Sequence, residues 1–240
     1  VALQLAEQGA RVVVADINAE TAAETVAIAQ SRGGDAVAIG CDIADSASVE
    51  ALVDTVVERV GTLHILINNA YLGNLPGPLE TKAARDFARA LQGSFYAPLA
   101  AMQRAFPHMQ AQGHGRIINM CSLNGVNAHM YTADYNVSKE ALRCLTRSAA
   151  REWAAHGITV TAICPGARTP AYARFAAASP DNAAQLLKQN PMGRMGEPEQ
   201  DIGSVIAFIC SDAGRYMTGN TVFLDGGSHI NGVSWQPSAG

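Results

Sequence analysis

Hydrophobic positions along the 240-residue chain follow two alternating rhythms. Short, nearly uninterrupted apolar runs recur at residues 11–15 (RVVVA), 36–41 (AVAIGC), 63–68 (LHILIN), 116–121 (RIINMC), 158–164 (ITVTAIC) and 221–224 (TVFL). Continuous rather than alternating apolarity predicts strands covered on both faces, as in a parallel sheet. Between these runs, helical spacing predicts helices near residues 19–31, 46–60, 82–112, 134–155 and 198–211. Gly33, Gly61, Gly113 and Gly157 stand where those helices must stop. Strand–helix alternation of this kind predicts an α/β fold, a doubly wound parallel sheet in a single domain over residues 1–240. Residues 166–197 break the rhythm after a strand's C-terminal end, where a substrate lid is expected. Residues 1–9 (VALQLAEQG) read as the end of a helix closed by Gly9. A doubly wound sheet opens with a strand and a glycine-rich turn before that helix, so both are expected to be missing and the native chain to be longer.

Composition narrows the class. Hydrophobic residues make up 48% and charged residues 16%, against about 25% charged in an ordinary domain. That balance supports a packed core and excludes a disordered chain. The formal net charge is −4 and aromatics are 6%, which excludes a nucleic-acid footprint. Cys41, Cys121, Cys144, Cys164 and Cys210 are far apart and form no C-x-x-C. They are expected to be reduced, buried thiols of a cytoplasmic protein. No apolar run reaches the roughly 18 residues of a membrane span, and the first residues lack the basic start of a signal peptide. No carboxylate–histidine cluster has metal-ligand spacing, so no metal is expected.

Candidate chemistry gathers at strand ends. Asp16 closes VVVAD, where a carboxylate can accept both ribose hydroxyls of an adenosine and repel a 2′-phosphate. A strand-end acid also serves simply to cap the next helix. Asp42, Asn68, Asn69 and Ala70 end the next two strands and suit either an adenosine site or plain caps and turns. Tyr135 and Lys139 are four apart and share one helical face. A phenol's pKa of about 10 is too high for a base at neutral pH, and a nearby ammonium is expected to lower it. Such a phenol exchanges a proton with an alcohol or ketone oxygen. The same pair also fits an exposed helix face. Ser122, at the end of another strand, is placed to hold the same oxygen or to cap. Pro165 and Gly166 let backbone approach a planar ring, with Thr169 close behind to bind a carboxamide.

Together, EQGARVVVADIN, CDI at residues 41–43, NNA at 68–70, GRIINMCS, the Ser122–Tyr135–Lys139 spacing, CPG with Thr169, RMGEPEQDIG and TGNTVFLDGG resemble the short-chain dehydrogenases/reductases over residues 1–227. The resemblance implies a Rossmann-like fold and an NAD(H)-dependent oxidoreductase that interconverts a secondary alcohol and a ketone. It implies Ser122, Tyr135 and Lys139 as catalytic residues, Asp16 as the choice of NAD, and Asp42, Ile43, Asn68 and Ala70 at the adenosine. Pro165, Gly166 and Thr169 would meet the nicotinamide. Leu123, His129, Met130, Tyr172 and Phe175 would wall a largely apolar substrate pocket. A homotetramer through the helices near 82–112 and 134–155 is also implied, with the tail at 228–240, including Trp235, near a neighbour's pocket.

Three departures stand out. The family's glycine motif should lie just before Val1, Tyr71 replaces its usual glycine after NNA, and Ala90 falls where its helix asparagine is expected, with Gln92 directed elsewhere. The missing glycine motif and Ala90 keep open a non-catalytic binding or scaffold protein, and an epimerase or dehydratase of the same family is a further alternative.

Overall fold

The computed structural model describes residues 1–230; Trp235 and the remainder of the tail lie outside the described residues. The apolar runs become six parallel strands: β1 (Arg11–Asp16), β2 (Asp35–Gly40), β3 (Ile65–Asn68), β4 (Gly115–Met120), β5 (Ile158–Pro165) and β6 (Thr221–Leu224). Around them lie α1 (Ala2–Glu7), α2 (Ala19–Ser31), α3 (Ser46–Val60), α4 (Ala84–Leu91), α5 (Ala97–Gln112), α6 (Leu123–Val126), α7 (Ala133–Trp153), α8 (Pro170–Ala178), α9 (Pro180–Gln189) and α10 (Ser204–Cys210). The result is the expected doubly wound α/β arrangement. Its central strands β4 and β5 are buried along almost their whole length because both faces are covered. Ile117 packs with Met102 and Met109 of α5 and Ala149 of α7 on one face. Ile118 and Met120 pack with Leu5 of α1 and Ile206 and Ile209 of α10 on the other. Gly61 and Gly113, at φ 83° and 66°, close α3 and α5 in the left-handed conformation.

The sheet is in two pieces. β1 pairs with β2, and β3-β4-β5-β6 form a separate ladder. Among the described residues no strand joins β1 to β3. The pieces nevertheless share one core, since Val12 of β1 and Ile65 and Ile67 of β3 pack on the same cluster around Leu5 and Ile118. β1 and β3 are half-buried or exposed where β4 is buried along its whole length, as expected of two unpaired edges.

The single helix predicted over 82–112 is broken. α4 gives way to a π-helical turn at Gln92–Tyr96, and α5 follows. Pro98 in the first turn of α5 supplies the cause: it has no N–H to give the carbonyl four residues earlier, so the ladder widens to reach past it. The N–H of Ala97 correspondingly bonds the Gln92 carbonyl, five residues back. The predicted helix over 198–211 likewise opens with a π-helical turn, Pro198–Gly203, before α10. Four of the five cysteines are buried as expected, but Cys144 is exposed on α7, because the helix turns that position away from the sheet.

One polar chain crosses the core. Asn119, fully buried on β4, accepts from Asn68 Nδ2 at 2.8 Å and donates to Thr146 Oγ1 at 2.9 Å. Thr146 passes the chain on to the Leu142 carbonyl at 2.8 Å. Strands β3 and β4 are thus fastened to α7 by satisfied buried groups. Asn119→Leu leaves the Asn68 amide and the acceptor side of the Thr146 hydroxyl without their partner, and is expected to cost about 2–4 kcal/mol. A thermal melt should show a midpoint roughly 5–10 °C lower, and an unchanged midpoint would remove the network from the list of stabilising features.

Candidate active site

Parallel strands put all their C-terminal ends at one edge of the sheet. Asp16, Asp42, Asn68, Ser122 and Gly166 therefore stand at or just after the strand ends on that edge. Ser122 follows β4 and caps α6, accepting from the Asn124 N–H at 3.2 Å. Tyr135 and Lys139 stand one turn apart on α7, which packs on β5 and α4. The Ser122 hydroxyl is near enough to the Tyr135 phenol to lower its pKa, so the two lie on one side of the site. Lys139 is buried, and its ammonium donates to the Met120 carbonyl at 2.8 Å.

The electrostatics differ from the expectation that Lys139 lowers the Tyr135 pKa. Burial is the larger influence and raises the phenol above its ordinary 10.0, while the contact with Ser122 pulls it partly back. The ammonium lies over the ring face, 5.7 Å from its centroid. Burial also lowers Lys139's own pKa, from 10.5 to about 8. At rest, then, Tyr135 is a neutral phenol that is ready to donate.

Tyr71 completes the cluster. Its ring meets that of Tyr135 edge to face with centroids 5.1 Å apart, and it lies 5.6 Å below the Lys139 ammonium. Its hydroxyl donates to Asn74, and burial is the main cause of its raised pKa. A buried ion pair stands behind the cluster. Lys82 Nζ lies 2.9 Å from Asp134, with side-chain exposures of 5% and 4%, and also holds the Leu75 carbonyl. The Gly77 N–H adds a bond to the Tyr131 carbonyl at 2.8 Å. Together they tie the loop at residues 71–82 to the start of α7. Sequence reasoning missed Lys82 and Asp134, which are 52 positions apart and carry no local signature. Between Ser122 and Tyr135, Ala128 and Tyr131 take positive φ values of 51° and 65°. That conformation is costly for residues with a Cβ, and it presents His129 and Met130 to solvent. The main chain of His129 is pinned by Asn124 and Asn136.

The remaining candidates divide by what occupies them. Asp16 is exposed, and one carboxylate oxygen accepts from the Asn18 N–H at 2.9 Å. Asp42 caps its own turn, accepting from Ala44 at 2.8 Å. Ile43 packs toward Val49 and Ala97. The side chain of Asn68 is turned inward to Asn119, while Ala70 is exposed. Pro165 ends β5, and Gly166 donates to the Leu224 carbonyl at 2.8 Å. A Cβ on Gly166 would lie 3.0 Å from the Asp225 backbone, so its glycine serves the close approach to β6. Thr169 caps α8, accepting from Tyr172 at 3.2 Å. Tyr172 and Phe175 lie against each other on α8, 6.3 Å apart. Leu123, the first residue of α6, is half-buried beside Ser122. Ala90 is buried one turn before Ser94, whose buried hydroxyl has no partner among the described residues. Gln92 points away, to Ser46 at 3.2 Å. Among the described residues no helix is long and apolar enough to cross a membrane.

This fold, with its Ser–Tyr–Lys cluster at the strand ends, is shared with known dehydrogenases and reductases. The sequence profile described as Enoyl-(Acyl carrier protein) reductase matches residues 1–229. 4-Formylbenzenesulfonate dehydrogenase of Comamonas testosteroni is 34% identical over 96% of this chain and 92% of its own length. The 3-oxoacyl-(acyl-carrier-protein) reductase FabG of Staphylococcus aureus gives the same figures, 34%, 96% and 92%. Among solved structures, a putative short-chain alcohol dehydrogenase from Sinorhizobium meliloti 1021 superposes with a TM-score of 0.88 at 35% identity, covering 95% of this chain and 90% of its own. An NAD+-bound xylitol dehydrogenase gives 0.87 at 31%, covering 94% and 92%. The chain belongs to the short-chain dehydrogenase/reductase family.

The buried ammonium has a measurable signature. Lowering the Lys139 pKa from 10.5 to about 8 corresponds to about 3 kcal/mol of penalty on the charged form. Below pH about 8 both folded and unfolded chains carry the proton, and the penalty is fully present. Between about 8 and 10.5 the folded chain releases the proton first, so this group's contribution to stability improves as pH rises. Lys139→Met removes the penalty and strands only the Met120 carbonyl, for a net gain of about 1–2 kcal/mol at pH 7. Denaturant melts should show the variant more stable at pH 7 and its advantage shrinking by pH 10. A variant less stable at both values would contradict the assignment.

Proposed function

We propose that the protein catalyses NAD(H)-dependent interconversion of a secondary alcohol and a ketone on a largely apolar small molecule. The observation that carries this reading is the Ser122 hydroxyl beside the Tyr135 phenol, with the Lys139 ammonium buried one helical turn on. One substrate oxygen can touch both hydroxyls at once. Ser122 holds that oxygen and stabilises charge developing on it. Tyr135, a neutral phenol at rest, donates its proton to the oxygen during ketone reduction and recovers it during alcohol oxidation.

The residues present fit a dinucleotide. The Lys139 ammonium has three N–H groups, and Met120 is the one protein oxygen it bonds among the described residues. Its other two N–H groups are available to the hydroxyls of a ribose. Asp16 is an exposed carboxylate at the adenosine end, suited to ribose hydroxyls. The basic residues on the neighbouring elements are engaged elsewhere, Arg11 with Asp35 and Arg32 with Glu7 and Glu199. That leaves Asp16 without a cation to welcome a 2′-phosphate, which supports NAD over NADP. When bound, the nicotinamide supplies or accepts the hydride. Asp42, Ile43, Asn68 and Ala70 would flank the adenosine, with Pro165, Gly166 and Thr169 at the other end. Leu123, His129, Met130, Tyr172 and Phe175 would form the substrate wall, and α5 and α7 would carry a homotetramer interface in a cytoplasmic enzyme.

A panel of secondary alcohols, with NAD and NADP in parallel, tests this through the absorbance of the reduced nicotinamide. Turnover is expected with NAD and apolar alcohols. Tyr135→Phe should lower kcat by about 10³-fold while circular dichroism stays unchanged. Retained turnover in a folded Tyr135→Phe protein would remove the phenol from the mechanism.

A further inference from the structure

Tyr71 does more than fill space beside the reacting groups. Lys139 is only 5% exposed, yet Met120 is the one oxygen its ammonium meets among the described residues. Two aromatic rings also lie near it, Tyr71 at 5.6 Å and Tyr135 at 5.7 Å from Nζ, beside the Cys121 and Cys164 thiols. Of the two rings, that of Tyr71 is the outer one: the residue is 40% exposed, so it forms the solvent side of the cover. We propose that Tyr71 is a gate on Lys139, a positioning residue whose ring caps the ammonium and must turn away before a ligand hydroxyl can bind there. The proposal rests on the dehydrogenase reading, in which Lys139 receives a ribose.

The balance of contacts favours such a gate. An aromatic face satisfies an ammonium less well than a charge-assisted hydrogen bond does, so incoming hydroxyls can displace the ring. The closed ring itself is held by the Tyr71 hydroxyl on Asn74 and by edge-to-face contact with Tyr135, while the main chain beside it is held at the Leu72 carbonyl by Arg89. Gly73, between Tyr71 and Asn74, has φ 76°, a left-handed conformation that glycine adopts without the steric cost of a side chain. The far end of the loop is fixed, since Lys82 holds both Leu75 and buried Asp134. With the main chain held at both Leu72 and Leu75, the motion is a rotation of the Tyr71 side chain. A ring in this position keeps the ammonium out of water until the ligand arrives.

The test reads Lys139 itself and needs no cofactor. The protein, Tyr71→Ala and Tyr71→Phe are treated with formaldehyde and a borohydride, and methylation of each lysine is followed by peptide mass spectrometry. In Tyr71→Ala, Lys139 should label about 5–10-fold faster than in the unaltered protein, the factor expected for losing one cation–π contact. Tyr71→Phe keeps the ring and should stay closer to the unaltered rate. Lys82, buried in the same loop, reports loosening and should label equally slowly in all three; exposed Lys188 gives the reference rate. NADH fluorescence titration should show Tyr71→Ala binding about 5-fold tighter, because no ring has to be displaced. Equal Lys139 labelling in Tyr71→Ala, or a parallel rise at Lys82, with NADH binding intact, overturns the gate alone. Unchanged or weaker NADH binding by Tyr71→Ala does so as well. No NADH binding by any of the three proteins overturns the gate and the dehydrogenase reading together.

Discussion

Lys139 carries a positive charge into a place with almost no oxygen to receive it. The Met120 carbonyl at the end of β4 takes one hydrogen bond, and two phenol rings lie near it. Much of the surrounding architecture holds that situation in place. α7 is tied to the sheet through the Thr146–Asn119–Asn68 chain, and its first turn is tied to the neighbouring loop through Asp134 and Lys82. An ammonium kept short of partners is unfavourable for the resting chain and useful for a ligand that brings hydroxyls. The site thus gives up folding stability for binding potential, a common arrangement where residues are kept for chemistry rather than packing.

The same burial accounts for the state of Tyr135. In water, a neighbouring cation would be expected to make a phenol more acidic. Here the cation sits over the ring face, and the loss of solvent around the hydroxyl outweighs its influence, so the acid form persists. Contact with the Ser122 hydroxyl offsets part of that rise, since a donor to the phenol oxygen favours its ionised form. Acid strength, orientation and proximity to the strand edge all follow from where α7 meets the end of β4.

Much of this was legible in the chain itself. Strands buried on both faces announce themselves by unbroken apolarity, and all six were found within a residue or two. Ser122, Tyr135 and Lys139 were visible because a strand end and a helical turn fix their spacing. What escaped depends on long-range contact. The break after Leu91 hinged on Pro98, whose missing N–H acts on a carbonyl in the preceding turn. Lys82 and Asp134 meet only because two loops fold onto each other. The outward turn of Cys144 and the raised pKa of Tyr135 follow from burial, which periodicity reports only coarsely. The division of the sheet between β1 and β3 follows from pairing, which strand identity alone does not dictate.

The link between residues 71–82 and the start of α7 has a bearing on how this scaffold can be varied. Loops at the ligand edge of a parallel sheet are usually interchangeable, since each leaves and rejoins the layer independently. Here two of them share a buried ion pair and a backbone bond from Gly77 to Tyr131. Grafting one from a relative without the other would orphan a charge in the interior, at a cost of about 3–5 kcal/mol. Recombination, whether in nature or in the laboratory, would therefore have to transplant both segments as a single cassette.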